Sequence, residues 1–224
     1  MKHTTTLKIC GITRASDAHL AAEAGASWLG FIFYPKSPRA LTPAAYAALR
    51  DALPPPPSAD TTAVPGQPRR VAVMVEPGIA DLTAAQRAGF DAFQIHFKHT
   101  VPRAQVMEWS EFIGRDRLWL APKLPPGTDV SPMLLPLADT FLLDTFHETD
   151  FGGSGQTGDW EKFARHQAAF PEKTWILAGG LNPRNITDAI ARSGARFVDV
   201  NSGVEDSPGI KDPALLRSLQ GLLA

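Results

Sequence analysis

The stretch LKICGITRASDAHLAAEAGASWLGFIF, residues 7–33, contains one complete strand–helix–strand unit. Its two ends, LKICGI (7–12) and WLGFIF (28–33), are short apolar runs typical of buried strands. The segment between them, residues 16–25, has the periodicity of an amphipathic helix. This order predicts two parallel strands joined by a crossover helix.

The same alternation continues to the end of the chain. The strand candidates are LKICGI (7–12), WLGFIF (28–33), RVAVMV (70–75), AFQIHF (92–97), LWLAPKL (118–124), TFLLDT (140–145), TWILAGG (174–180) and FVDVNSG (197–203). The helix candidates are residues 16–25, 43–53, 79–88, 102–114, 131–137, 159–169, 183–193 and 212–223. Eight such units predict an α/β protein in which residues 1–224 form a single (β/α)8 TIM barrel. The alternative is an open doubly wound sheet, whose usual dinucleotide fingerprint is missing after the first strand.

Composition limits the classes of partner and the compartment. The formal net charge of the 224 residues is -1, which gives no electrostatic reason to expect a nucleic acid or a membrane surface as partner. Cys10 is the single cysteine, so no internal disulfide forms. The N-terminal MKHTTTLKIC has no apolar run typical of a signal peptide, and no stretch reaches the roughly 18 consecutive apolar residues of a membrane span. We therefore expect a cytoplasmic protein with a small neutral or anionic ligand.

One segment of low complexity, LPPPPSADTTAVPGQP, starts at Leu53. It connects a helix to the following strand, and such loops lie at the end of a barrel away from the active site. Its proline content and lack of apolar periodicity predict a flexible insertion without function at about residues 54–69.

Polar residues interrupt several of the predicted strands. Helices cover the outside of a barrel, so a polar strand residue is expected to point inward. Strand alternation assigns inward positions to Lys8, Cys10, Gln94, His96, Asp144, Asp199 and Asn201. Most of these residues lie near the C-terminal ends of their strands, where barrel enzymes build their active sites.

Each inward residue also has a structural interpretation. Lys8 and Asp199 become neighbours when the barrel closes, and a buried ion pair that supports the site competes with a direct catalytic role. His96 is either a hydrogen-bonded core group or a substrate contact. Cys10 is either a small buried apolar residue or a chemical group, and the strand-end carboxylate of Asp144 is costly to bury unless it is used.

Glycine-rich loops follow the last three strands. The loop after strand six contains Gly153 and Ser154, the loop after strand seven Gly179 and Gly180, and the loop after strand eight Ser202 and Gly203. Loops at these positions in many barrels present backbone N–H groups to a phosphate. The sequence therefore predicts a phosphorylated small-molecule ligand.

Seven motifs in this order resemble the phosphoribosylanthranilate isomerase family of tryptophan biosynthesis. They are KICGIT, GFIFYPKSPR, QIH, LLDT, GGSGQTGDW, LAGGLNPRN and VDVNSGVEDSPGIKD, and they span nearly the whole chain. The resemblance implies a cofactor-free isomerase that performs an Amadori rearrangement of N-(5-phosphoribosyl)anthranilate, as a monomer or homodimer. The HETD segment at 147–150 matches no strong metal-site spacing, and the reaction needs no metal.

The resemblance also implies roles for three residues. Asp144 would be the general acid that protonates the furanose ring oxygen, and Cys10 the general base that removes a proton from the neighbouring sugar carbon. Arg39 would receive the anthranilate carboxylate, which suits a planar and permanently charged group. A thiol with an ordinary pKa of about 8.5 is mostly protonated at neutral pH, so Cys10 needs a partner, and Lys8 is the candidate.

The chain departs from the family pattern at several positions. Phe97 and Lys98 follow His96 where glycine and soon an acidic residue are usual, so Phe97 either narrows the pocket mouth or faces the helices. Ser154, Gln156 and Gly158 stand where threonine, lysine and an aromatic residue are usual, which removes a positive charge near the expected phosphate. Two alternative functions therefore stay open, namely another phosphoribosyl isomerase and a phosphate-binding barrel without turnover.

Overall fold

Eight parallel strands form a closed barrel in chain order in the computed structural model, which describes residues 5–58, 64, 66–144 and 159–222. The strands are β1 (Thr6–Ile9), β2 (Trp28–Ile32), β3 (Arg69–Val75), β4 (Ala92–Lys98), β5 (Leu118–Lys123), β6 (Thr140–Leu143), β7 (Thr174–Leu177) and β8 (Phe197–Val200). Pairing of β1 with β8, with Lys8 opposite Asp199, closes the barrel. The predicted (β/α)8 fold and all eight predicted strands are confirmed.

Seven α-helices are present in the described part of the chain. They are α1 (Ala15–Glu23), α2 (Pro43–Arg50), α3 (Ile79–Arg87), α4 (Arg103–Ile113), α5 (Trp160–Ala169), α6 (Ile186–Ser193) and α7 (Pro213–Leu219). Thr42 caps α2, because its side chain accepts a hydrogen bond from the N–H of Ala45 and Pro43 occupies the first turn.

The crossover between β5 and β6 differs from the others. The predicted helix at 131–137 is a 3-10 helix, Pro132–Leu137, with Pro136 inside it. Proline has no N–H for the helical hydrogen-bond ladder and its ring clashes with the preceding turn, so a regular α-helix does not form there. After β8, the chain adds a second 3-10 helix (Ser202–Val204) and a small antiparallel hairpin of β9 (Glu205–Ser207) and β10 (Ile210–Lys211).

The core has two layers, as strand alternation predicts. Outward strand residues pack against the helices, and Phe97 belongs to this layer because its ring lies 5.7 Å from that of Trp109 on α4. Phe97 therefore faces the helices and does not narrow the pocket mouth. Inside the barrel, Trp119 contacts the rings of Trp28 and Phe197 edge-on. These three residues lie toward the N-terminal ends of their strands, so they fill that half of the barrel and leave space at the other end.

The proline-rich segment joins α2 to β3, at the end of the barrel where strands begin. The backbone carbonyl of Pro54 accepts a hydrogen bond from Arg70 Nη2, and Gln67 bridges to Val64. Residues 59–63 and 65 lie outside the described part of the chain, and the flexibility of the insertion stays a prediction.

Candidate active site

A cavity of about 420 Å³ lies at the C-terminal end of the barrel. Most of the site residues predicted from the sequence line it, namely Cys10, Arg39, His96, Asp144, Gly179, Gly180, Ser202 and Gly203. Gly153 and Ser154, together with the HETD segment, lie outside the described residues. A second cavity, of about 530 Å³, lies beside α2 and α3 and has a mostly apolar lining. The first cavity therefore brings together eight of the site residues predicted from the sequence.

Cys10 is placed at the cavity by the end of β1. Its backbone N–H donates to the carbonyl of Val200 at 2.9 Å, which extends the pairing of β1 with β8 by one residue. The following residue, Gly11, has a φ of +73°, so the chain turns away directly after the thiol. The absence of a side chain at Gly30 leaves room for the thiol, because a Cβ there would lie 2.8 Å from Cys10 Sγ.

Lys8 lies behind Cys10 on the same face of β1. It is fully buried, and its Nζ lies 2.7 Å from Oδ2 of Asp199. This contact confirms the ion pair that barrel closure predicts. Lys8 does not line the cavity, whereas Asp199 does. Burial by itself would lower the pKa of Lys8, but the pKa is raised overall, chiefly by the charge and the hydrogen bond of Asp199, so the side chain stays cationic.

Burial raises the pKa of the Cys10 thiol above its ordinary value. The positive charge of Lys8 lowers the pKa of Cys10, and the charge of Lys211 lowers it by a smaller amount. The charge of Asp199 raises the pKa, as burial does. Because burial prevails, Cys10 is a thiol in the unliganded site. Lys8 is correctly placed to favour the thiolate but does not by itself produce it.

His96 is a neutral member of the cavity wall. Its Nε2 lies 2.7 Å from Nε2 of Gln94, which comes from the same face of β4. Burial, together with the charge of Lys8, lowers the pKa of His96 to about 3. At neutral pH the imidazole therefore offers one donor and one acceptor and no charge.

Asp144 reaches the cavity from the residue that follows β6. The ladder continues beside it, because the N–H of Ala178 donates to the carbonyl of Leu143. The two groups assigned to acid and base chemistry, Asp144 and Cys10, therefore come from two strands of one rigid barrel and face the same cavity.

Arg39 lies in the loop between β2 and α2 and is largely buried. Glu205 on β9 binds it bidentately, with Nε 2.8 Å from Oε1 and Nη2 2.6 Å from Oε2. Lys211 on β10 binds the same carboxylate at 2.8 Å. Burial by itself would raise the pKa of Glu205, but hydrogen bonds from Arg39 and the charge of Lys211 hold it below its usual range. Arg39 is thus a charged group in a fixed orientation at the cavity wall.

The loops after β7 and β8 bring backbone N–H groups to the cavity. Gly179 and Gly180 have φ values of +94° and +61°, and their N–H groups donate to no other described residue. Ser202 and Gly203 begin a 3-10 helix, so their N–H groups have no partner within it. A Cβ on Gly203 would lie 1.9 Å from the carbonyl oxygen of Leu181, so only glycine permits this approach of the two loops.

Glu205, Lys211 and Gly30 have roles in the site that the sequence alone did not indicate. Glu205 and Lys211 occur in the motif VDVNSGVEDSPGIKD and bond to each other, but Arg39, the other partner of Glu205, is 166 residues away from it in sequence, and only the fold brings them together. Alternation along β2 is the signal that could have found Gly30, because it places this residue on the inward side, opposite the thiol.

The described residues contain no cluster of three or more histidine, cysteine, aspartate or glutamate side chains arranged to hold a metal. Within the same residues, no helix combines the length and apolar character needed to cross a bilayer.

Closed parallel strands and a polar cavity at their C-terminal ends place the chain in the class of (β/α)8-barrel enzymes. Residues 7–220 match the family model for N-(5'-phosphoribosyl)anthranilate (PRA) isomerase. The N-(5'-phosphoribosyl)anthranilate isomerase of Granulibacter bethesdensis is 36% identical over 217 residues, which cover 95% of this chain and 94% of that one. The chain therefore belongs to the N-(5'-phosphoribosyl)anthranilate isomerase family.

Solved structures agree with this assignment. The phosphoribosyl anthranilate isomerase of Thermus thermophilus superposes with a TM-score of 0.76 at 31% identity, covering 97% of this chain and 98% of that one. A phosphoribosyl anthranilate isomerase in complex with reduced 1-(o-carboxyphenylamino)-1-deoxyribulose 5-phosphate gives a TM-score of 0.72 at 29% identity, covering 98% of both chains.

Proposed function

We propose that this chain converts N-(5-phosphoribosyl)anthranilate into 1-(2-carboxyphenylamino)-1-deoxyribulose 5-phosphate, the isomerisation step of tryptophan biosynthesis. The observation that carries the proposal is the meeting of Cys10, Asp144 and Arg39 in one cavity with the glycine loops that follow β7 and β8. Membership of the isomerase family supports the same reaction.

Two anionic groups of the substrate have matching partners in the cavity. The N–H groups of Gly179, Gly180, Ser202 and Gly203 suit the phosphate, because unpaired amides and the first turn of a helix favour an anion. Arg39 suits the carboxylate of the anthranilate ring. Binding at both ends holds the sugar between Cys10 and Asp144, and neutral His96 adds a hydrogen-bond partner at the wall.

The first chemical step belongs to Asp144. The carboxylic acid donates a proton to the furanose ring oxygen, the bond from that oxygen to the first sugar carbon breaks, and the aniline nitrogen becomes a protonated Schiff base. Such a donor is most effective in a site closed to water, where the acid form is favoured.

The second step belongs to Cys10. As a thiolate it removes the proton from the second sugar carbon, and the electron pair moves to the Schiff base to form an enolamine, which tautomerises to the ketone. Since burial keeps Cys10 protonated in the unliganded site, the thiolate needs more positive charge than Lys8 supplies. The cationic Schiff base, formed beside the thiol in the first step, provides that charge, and the carboxylate that Asp144 has become by then accepts the thiol proton, which restores the acid for the next turnover. Lys8 thus acts through Cys10 rather than by touching the substrate.

The reaction moves protons within one molecule and transfers no electrons to an external acceptor, so it requires no redox cofactor. The partner is accordingly a phosphorylated small molecule, with no nucleic acid or membrane involved. Cytoplasmic location and a monomeric or homodimeric state remain predictions, and light scattering measures the second of these directly.

The activity is tested by generating phosphoribosylanthranilate in situ and following the loss of its anthranilate fluorescence. We expect turnover by the wild-type protein, with Cys10→Ala and Asp144→Ala each losing most of it while unfolding at a temperature close to that of the wild type. The substrate of the corresponding isomerisation in histidine biosynthesis serves as the control. Turnover of that substrate alone would favour the other isomerase, and turnover of neither would favour a binding protein.

A further inference from the structure

Arg39 is held by a small charge network on the β9–β10 hairpin. Glu205 uses both carboxylate oxygens on one edge of the guanidinium, through Nε and Nη2. Neither side chain is more than 9% exposed. No hydrogen bond to another described residue uses Nη1 of Arg39, and Arg39 lines the cavity. Glu205 therefore fixes the guanidinium edge formed by Nε and Nη2, and the edge that includes Nη1 is available to a ligand.

The network is anchored on the rest of the fold. Nζ of Lys211 donates to Glu205 and also to Oδ1 and the carbonyl of Asn201. The backbone N–H of Lys211 donates to Asp17 at the start of α1. The backbone N–H of Gly209 donates a hydrogen bond to Oε1 of Glu205 at 3.3 Å. These hydrogen bonds attach the hairpin to the residue that follows β8 and to α1, so Glu205 has little freedom to move.

The charges of the network do not cancel. Arg39 and Lys211 are two buried cations, and Glu205 is the one anion bonded to both of them. Lys211 is buried and does not line the cavity, whereas Arg39 does. Burial lowers the pKa of Lys211, and the charge and hydrogen bond of Glu205 oppose this shift. The excess of one positive charge at a largely buried position favours a ligand that brings a single negative charge.

Close packing further restricts Arg39. A Cβ on Gly11 would lie 2.7 Å from Cδ of Arg39 and 2.5 Å from Oδ1 of Asn201. The side chain of Arg39 therefore passes directly over the backbone that follows Cys10. A receptor held in one position loses less side-chain entropy when its ligand binds.

We propose that Glu205, supported by Lys211, is a positioning residue that fixes Arg39 as a receptor for one planar carboxylate, and that this network sets the selectivity for a carboxylated aromatic amine over the unsubstituted amine. The inference rests on the proposed function for the role of Arg39. It adds two residues of the hairpin that do not touch the substrate and act only through Arg39.

The test compares two ligands that differ in the carboxylate alone. They are reduced 1-(o-carboxyphenylamino)-1-deoxyribulose 5-phosphate and its phenylamino counterpart, whose dissociation constants are measured by calorimetry, with KM and kcat measured for the corresponding substrates. We expect Glu205→Gln to weaken binding of the carboxylated ligand about 10-fold to 100-fold, because loss of one well-aligned charge-assisted hydrogen bond has an effect of about this size. Binding of the phenylamino ligand should change by less than about twofold, and the loss for the carboxylated substrate should appear more in KM than in kcat.

Two further variants separate the positioning of Arg39 from simple charge balance. Glu205→Asp keeps the charge but shortens the side chain, so positioning predicts a similar loss of carboxylate selectivity, whereas charge balance predicts wild-type selectivity. In the double variant with Arg39→Ala, Glu205→Gln should add nothing further. Glu161→Gln is the matched control, because Glu161 is exposed and its contact to Arg192 is 3.8 Å long.

The outcomes distinguish this inference from the proposed function. Equal weakening of both ligands would mean that Glu205 is merely structural, and tighter binding of the carboxylated ligand by Glu205→Gln would mean that it only neutralises charge. Either result overturns the inference while wild-type turnover stands. Selective binding without wild-type turnover would instead overturn the proposed activity and leave the positioning role intact.

Discussion

Nζ of Lys8 lies 2.7 Å from Oδ2 of Asp199, at the point where the first and last strands close the barrel. The pair is buried directly behind Cys10, and its two members act on the thiol in opposite directions. The charge of Lys8 lowers the pKa of Cys10, and the charge of Asp199 raises it. The ion pair that closes the barrel therefore also influences the pKa of Cys10, the base proposed for the reaction.

The first prediction concerns this pair. Lys8→Met leaves Asp199 buried without a cation, so the free energy of unfolding should fall by about 3–5 kcal/mol. Asp199→Asn removes the charge that raises the pKa of Cys10, so this pKa should be lower than in the wild type, while the loss of the partner of buried Lys8 should also lower the free energy of unfolding. We expect the alkaline rise of kcat/KM to shift to lower pH in Asp199→Asn and to higher pH in Lys8→Met.

Urea unfolding and pH–rate profiles measure the two effects. Lys98→Met, at an exposed position on β4, is the control for loss of a lysine. If Asp199→Asn shifted the profile to higher pH, the pair would not control Cys10 as described.

A second prediction concerns Gly30. An alanine Cβ at this position would lie 2.8 Å from Cys10 Sγ and 3.1 Å from Cε of Lys8, so the thiol must move. We expect Gly30→Ala to reduce kcat at least tenfold and to lower the free energy of unfolding by about 1–3 kcal/mol. Gly221→Ala is the matched control, because a Cβ there has no neighbour within 4 Å. Wild-type kcat in Gly30→Ala would show that the position of the thiol tolerates displacement.

Much of the barrel could be predicted from the sequence because each strand carries its own periodic signal. The inward direction of Lys8, Cys10 and His96 followed from alternation alone, since a period of two leaves no other choice once helices cover the outside. The ion pair with Asp199 followed from closure of the barrel.

Other features depended on a local helix breaker, on contacts between distant parts of the chain, or on burial. The 3-10 form of Pro132–Leu137 depends on a proline within a short helix, which overrides an apolar pattern that otherwise looks helical. The salt bridge between Arg39 and Glu205 joins the loop after β2 to the hairpin after β8, and no local sequence pattern predicts this contact. Whether the thiol of Cys10 ionises depends on the balance between burial and three neighbouring charges, and composition contains no information about burial.

A third prediction concerns the anion site. The Cα of Gly203 passes so close to the carbonyl of Leu181 that a Cβ would lie 1.9 Å from its oxygen. Gly203→Ala should therefore separate the loops after β7 and β8 and disturb the amides assigned to the phosphate. We expect KM to rise at least tenfold and competitive inhibition by inorganic phosphate to weaken in parallel. Gly221→Ala again provides the control, and an unchanged inhibition constant for phosphate would place the anion elsewhere.

The last prediction concerns His96 and the dependence of stability on pH. The pKa of His96 is about 3 in the folded chain, compared with an ordinary value of 6.5. Between these two values the unfolded chain binds a proton that the folded chain does not, so stability rises with pH. This contribution is fully present above pH 6.5 and declines as the pH falls toward 3. Each pH unit in that window should reduce the free energy of unfolding by up to about 1.4 kcal/mol.

His96→Asn removes the titrating group, so its free energy of unfolding should decline less steeply between pH 6 and pH 4 than that of the wild type. Urea unfolding at half-unit intervals of pH measures both slopes. His19→Gln, at an exposed position on α1, is the matched control for the loss of a histidine. Parallel curves for the wild type and His96→Asn would mean that the folded barrel accepts a charged imidazole beside Lys8, and the neutral role assigned to His96 in substrate binding would then be wrong.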